Sequence, residues 1–132
     1  MKKKAPHDVQ LLIGTFRLGD ENVDLYALPH GAGGGEFYTR PDDKSVGRIK
    51  IGIDEQHYDD VLAILLHETF EYLACRHHTR FSQSLKFNRD HADYLFIMDH
   101  STFGEICSRQ AFFLYECGAK LHATWKKHRP KK

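Results

Sequence analysis

The sequence lacks paired-cysteine spacing. Its three cysteines, Cys75, Cys107 and Cys117, are odd in number and contain no CxxC. That argues against a disulfide framework and for buried thiols in a reducing compartment. Long apolar runs are missing as well. Leu11-Leu12-Ile13 is far too short for the core of a secretory leader, and nothing approaches a membrane-spanning length. The expected location is therefore the cytoplasm, with no membrane partner. Net charge is nearly absent, at +1, which gives no global argument for a nucleic-acid partner. Positive charge gathers at the ends, in Lys2-Lys3-Lys4 and in Lys126-Lys127-His128-Arg129-Pro130-Lys131-Lys132. Residues 1–8 and 127–132 are expected to be flexible basic tails. The glycine-rich stretch Pro29–Gly35 has no GKS or GKT and no strand-to-helix setting, so it reads as a loop and not a phosphate cradle.

What remains is an ordinary globular composition with one excess. Apolar residues make up 41% and charged residues 28% of 132 positions, enough for one domain spanning 1–132 with its own core. The excess is histidine, at ten residues. Histidine is both the commonest metal ligand and a frequent surface residue, so position has to decide its role.

The first half patterns as strands. Val9–Phe16 is an apolar run, and Val23–Leu28 alternates, with Val23, Leu25 and Ala27 on one face. Leu18–Asn22 between them has hairpin composition. Glu36–Arg40 reads as a short strand ahead of a turn at Pro41–Ser45, and Gly47–Ile53 sets Ile49, Ile51 and Ile53 on one face. The second half is helical. From His57 to His78, Tyr58, Val61, Leu62, Leu65, Leu66, Thr69, Phe70 and Leu73 form an amphipathic stripe. A loop with Ser82, Ser84, Asn88 and Asp90 follows, then a short strand over Tyr94–Met98. A capping box at Thr102–Glu105 predicts a final helix to about Lys126, its buried stripe Phe103, Ile106, Phe113, Leu114, Cys117, Leu121 and Trp125. The fold class is α+β: a small, mainly antiparallel N-terminal sheet packed on the first helix and a long C-terminal helix.

The first helix carries His67-Glu68-Thr69-Phe70-Glu71, an HExxE arrangement. At 3.6 residues per turn His67 and Glu71 lie about 40° apart on one face, so imidazole and carboxylate can address one metal ion. Glu68 projects about 100° from His67, where it can address a water as general base. Carboxylate oxygen is an acceptable zinc ligand, although its charge weakens the metal as a Lewis acid. The same three residues also fit the plain polar face of a helix. A third ligand is open: Asp99-His100 lies where the last strand meets the last helix, with Asp99 equally suited to capping that helix. Cys75, one turn beyond Glu71, is a soft alternative. His78 sits some 16 Å along the axis from His67, too far to share an ion, and His77 reads as surface.

The run from Ile49 to Glu71, IKIGIDEQHYDDVLAILLHETFE, resembles small phage- and prophage-encoded metallopeptidase-like proteins of the ImmA/IrrE type. The resemblance covers roughly residues 47–125, and its specific part is the LLHExxE segment. It implies a minimal zincin-like fold, a zinc ion held by His67, Glu71 and His100, Glu68 as catalytic base, and a peptide or protein substrate in the host cytoplasm. It departs from the usual pattern at Glu71, where a second histidine is common. In this reading the strand Gly47–Ile53 borders the cleft and can hold an extended substrate by β-addition. The alternative is a catalytically inactive phage accessory or interaction protein that keeps the scaffold.

Overall fold

In the computed structural model residues 9–39, 46–82 and 94–131 are described. The basic start, the Pro41–Ser45 turn, Arg40, and Ser84, Asn88 and Asp90 of the expected loop lie outside them.

Four strands form the N-terminal sheet: β1 (Leu11–Leu18), β2 (Glu21–Leu28), β3 (Gly35–Tyr38) and β4 (Gly47–Gly52). Their spatial order is β1-β2-β4-β3. β1 and β2 form an antiparallel hairpin across Gly19-Asp20, with Leu18 opposite Glu21. After β2 the chain lays β3 on the outer edge and then returns as β4 between them, antiparallel to β3 and parallel to β2. Helix α1 (Tyr58–Arg76) packs on β3 and β4, and helix α2 (His100–His128) packs on β1 and α1. A small hairpin, β5 (Arg80–Ser82) with β6 (Tyr94–Phe96), lies between the helices in the chain. The α+β arrangement is the one expected.

The alternation in β2 and β4 is what drives this assembly. Val23, Leu25, Ala27, Ile49, Ile51 and Ile53 have no exposed surface at all. Burying a side chain of valine or leucine size contributes about 1.5–3 kcal/mol, against roughly 0.2–1 kcal/mol for an exposed ion pair. The apolar face therefore sets where the helices go, and the surface charges follow. From α2 come Ile106, Phe113, Cys117, Leu121 and Trp125, with Phe113 edge-on to Phe16 at 6.0 Å. The far end of α2 is tied to the start of α1: Trp125 Nε1 donates to the Glu55 carbonyl at 2.9 Å, and the Tyr58 hydroxyl donates to the Gly118 carbonyl at 3.3 Å.

Several boundaries differ from expectation. α1 ends at Arg76 because His78 takes a left-handed conformation (φ 57), while the His77 and Thr79 amides bond back to Leu73 and Ala74. α2 begins at His100, not Thr102. Asp99 is its N-cap, accepting from the Thr102 amide at 2.7 Å, and Glu105 pairs instead with Arg109. The helix also runs through His128, so Lys127 and His128 belong to its last turn, where positive charge suits the carbonyl end. Within the expected stripes Leu66 and Phe103 are exposed, whereas Tyr72 is fully buried. Tyr72 can enter the core because its hydroxyl donates to Glu21 at 3.3 Å. Glu21 in turn pairs with Arg76, fastening α1 to the start of β2.

One glycine makes this possible. A Cβ at Gly47, the first residue of β4, would run into the hydroxyl and ring of Tyr72. Gly47→Ala is expected to cost about 1–3 kcal/mol through overpacking. Gly104→Ala, in α2 with nothing near its Cβ position, should gain about 0.5–1 kcal/mol. Urea-denaturation midpoints check both; shifts of the same sign would contradict this packing.

Candidate metal centre

His67, Glu68 and Glu71 lie on the side of α1 that meets the edge of the sheet. Each offers a ligand atom, and these atoms all fall within 4.8 Å of one another. Among the described residues no other group of three histidine, cysteine or carboxylate side chains converges in this way. His67 Nε2 stands 3.3 Å from Glu71 Oε2, the one-turn spacing read from the sequence. The imidazole is two-thirds exposed, while Glu71 is largely covered. A nitrogen and two carboxylate oxygens at this separation suit a divalent cation with coordination left open on the solvent side.

Glu68 has the least ordinary environment. It is 6% exposed and stands against β3, where Gly35 leaves room for it. A Cβ on Gly35 would meet Glu68 Cγ and Ile64 Cγ2 at 2.9 Å and the Lys50 carbonyl at 3.0 Å. Burial raises the Glu68 carboxyl above its usual value. His67 opposes that shift, the Glu71 and Glu36 carboxylates add to it, and Arg80 opposes it. A carboxyl raised by burial beside a cleft is the form that a general base takes near neutral pH.

Three depressions meet at His67. A hollow of about 370 Å³ lies toward Gly33, Gly34 and Ala63. A groove of about 590 Å³ runs the other way along β3, past Glu71 to Cys75, Arg80 and Tyr94. The third, more apolar, is lined by Leu66, Phe70 and Phe96. The cleft therefore follows β3, an edge strand whose outer side pairs with no other strand among the described residues. The strand expected to border it, Gly47–Ile53, is interior, since β2 and β3 occupy both its sides. Alternation reveals which face of a strand is buried but not its place in the sheet.

The remaining candidates separate. His100 is the exposed first residue of α2 and does not join the group. Asp99 is engaged in capping, and the Thr102 N–H holds its carboxyl below the usual range. Cys75 lines the groove, but its Sγ accepts from Arg80 Nη1 at 3.0 Å. Cys117 is buried in the core, its thiol pushed up to about 12. His77 is half-buried, its Nε2 enclosed without a hydrogen-bond partner among the described residues. The sequence reading missed Arg80, Tyr94 and Phe37 as lining residues. Arg80 and Tyr94 belong to three-residue strands, too short for alternation to mark a face.

The shift at Glu68 has a definite sign. Its pKa is higher folded than unfolded, so its contribution to stability is fullest below the unfolded pKa and is lost as pH rises through the folded one. In metal-free protein, Glu68→Gln should therefore raise the urea midpoint at about pH 8 more than at about pH 4. An equal effect at both would show that Glu68 is not desolvated. No family model, curated protein or solved structure matches this chain.

Proposed function

We propose that the chain is a zinc-dependent metallopeptidase-like protein of phage or prophage origin, working in the host cytoplasm on a peptide or protein. The observation that carries this reading is the convergence of His67, Glu68 and Glu71 in a cleft that follows β3, the edge strand of the described sheet. His67 and Glu71 would hold the ion. His100, implied as third ligand by the resemblance, is left out because it does not converge with them. Zinc at such a site supplies Lewis-acid polarisation of a water and of the scissile carbonyl.

The protein's own groups would do the rest. An extended peptide can pair with the outer edge of β3, which no strand among the described residues occupies and whose main-chain groups orient it without regard to its sequence. That pairing lays the peptide backbone beside His67 and Glu68. Glu68 would accept the attacking water's proton on its carboxylate and return it to the departing amine. Its partial burial keeps bulk water from competing for that proton. No helix among the described residues is long and apolar enough to cross a membrane.

A second reading, an inactive phage accessory protein that keeps the scaffold, draws support from the His67–Glu71 pair. At 3.3 Å these side chains satisfy each other with no ion needed. Metal analysis separates the two readings. Untagged protein should retain about one zinc per chain, falling below about 0.2 in His67→Ala and Glu71→Ala. Less than about 0.2 zinc in wild type, unchanged by His67→Ala, would sink the enzyme reading.

A further inference from the structure

The groove that holds the three candidate metal-site residues also holds a cation. Arg80 opens β5, immediately after the turn that ends α1. Its guanidinium carbon lies 3.4 Å from the centroid of the Tyr94 ring and 5.2 Å from that of Phe37. Nη1 donates to Cys75 Sγ at 3.0 Å. These contacts come from α1, β3 and β6, so the head group is held from three elements. Yet no carboxylate among the described residues stands at ion-pair distance from it. The other three arginines that end in an ion pair or a ring contact do so away from this groove: Arg76 on Glu21, Arg109 on Glu105 and Asp20, and Arg129 on Trp125.

Charge balance says what the groove lacks. Glu36 is 3.7 Å from Lys50, and the two cancel. A divalent cation held by His67 and Glu71 would offset the charges of Glu71 and of the neighbouring Glu68. Among the described residues Arg80 is then left with one positive charge that no carboxylate pairs with directly. A planar guanidinium with one N–H engaged among the described residues, by Cys75, matches a singly charged carboxylate in shape and charge. Cys75, which fixes one nitrogen of Arg80, lies one turn beyond Glu71. That is roughly 6 Å along the helix, about the span of two extended residues.

We propose that Arg80 anchors a substrate carboxylate, making the site selective for peptides that carry one about two residues from the bond presented to His67 and Glu68. The carboxylate is either the peptide's C-terminus or an acidic side chain. This assignment rests on the metal-site reading above. A purely structural arginine, clamping β6 to α1, would make the same contacts but show no preference among ligands.

Three peptide hydroxamates test it by calorimetry on the zinc-loaded full-length chain: hydroxamoyl-acetyl-leucine as the free acid, its C-terminal amide, and the aspartyl amide of the same length. At least one of the two carboxylate-bearing probes should bind about tenfold or more tighter than the leucyl amide. A tight free acid identifies a C-terminal anchor, and a tight aspartyl amide a side-chain anchor. Arg80→Gln should erase the preference and leave the leucyl amide unchanged, while Arg80→Lys should keep part of it. Arg80→Lys carries the test if the glutamine variant fails to fold. Equal binding of all three probes by wild type would overturn the carboxylate anchor alone, as would a uniform loss across them in the Arg80 variants. If none binds, the metal reading falls and this one with it.

Discussion

Helix α1 crosses the sheet so closely that glycine stands at both crossing points. At Gly47 the ring of Tyr72 occupies the space a side chain would take, and at Gly35 that space holds Glu68 and Ile64. Everything distinctive about the cleft depends on this approach. It buries one flank of α1 against β4 while leaving the next flank at the rim of β3, where His67 and Glu71 meet solvent. A helix held a few ångströms farther away would expose Glu68 and separate it from the strand edge. The anchors that maintain the approach lie on the far side of the crossing, in Tyr72, Glu21 and Arg76.

The energy that holds the helix there comes from elsewhere in the molecule. Five side chains on β2 and β4, and Ile53 just after β4, are entirely enclosed, and their burial dwarfs any term at the cleft. The cleft itself works against folding. Glu68 is almost covered, is raised in pKa by that covering, and has no hydrogen-bond partner among the described residues. The neighbouring His67–Glu71 contact, with a largely exposed imidazole, returns only about 0.3–0.5 kcal/mol. A helix optimised for stability would place glutamine or an apolar residue at position 68. An acid kept there at a cost is the pattern expected where a site's chemistry, and not its packing, selects the residue.

Much of this was legible in the residues. Period-two alternation located β2 and β4 and named their buried faces, because a two-faced sheet prints its environment on every second residue. Helical phase put His67 and Glu71 on one side of α1, since their geometry depends only on the rise and turn of the helix. The rest depends on long-range arrangement. Nothing local distinguishes an interior strand from an edge strand of the same alternation, so the cleft was assigned to β4 instead of β3. Tyr72 went unnoticed because its burial depends on Glu21, which is 51 residues away. Asp99 and Thr102 are both good caps. The choice between them follows from where the chain leaves β6, whose next residue, Ile97, donates its amide to the Thr79 carbonyl.

That last tie bears on the chemistry. With Ile97 bonded to Thr79 and Asp99 turned to its own helix, the start of α2 is fixed by contacts that leave His100 outside the group. The candidate ligands among the described residues then come from α1 alone: the His67 imidazole and the Glu71 carboxylate, with Glu68 beside them as the proposed base. Such a set is harder than the two-imidazole sets of hydrolytic zinc centres, and oxygen donors narrow the advantage that zinc holds over manganese or magnesium. It would also bring more negative charge to a bound ion, which would reduce polarisation of a carbonyl there. A cation beside the site offsets this in part. Arg80 adds positive potential to a groove in which two carboxylates otherwise dominate, and it does so without occupying a coordination position. The replacement of a second histidine by Glu71 and the presence of Arg80 at the far end of the groove are thus linked through electrostatics. With an ion bound as proposed, the glutamate would make it a weaker acid, and the arginine would offset part of the carboxylates' negative potential.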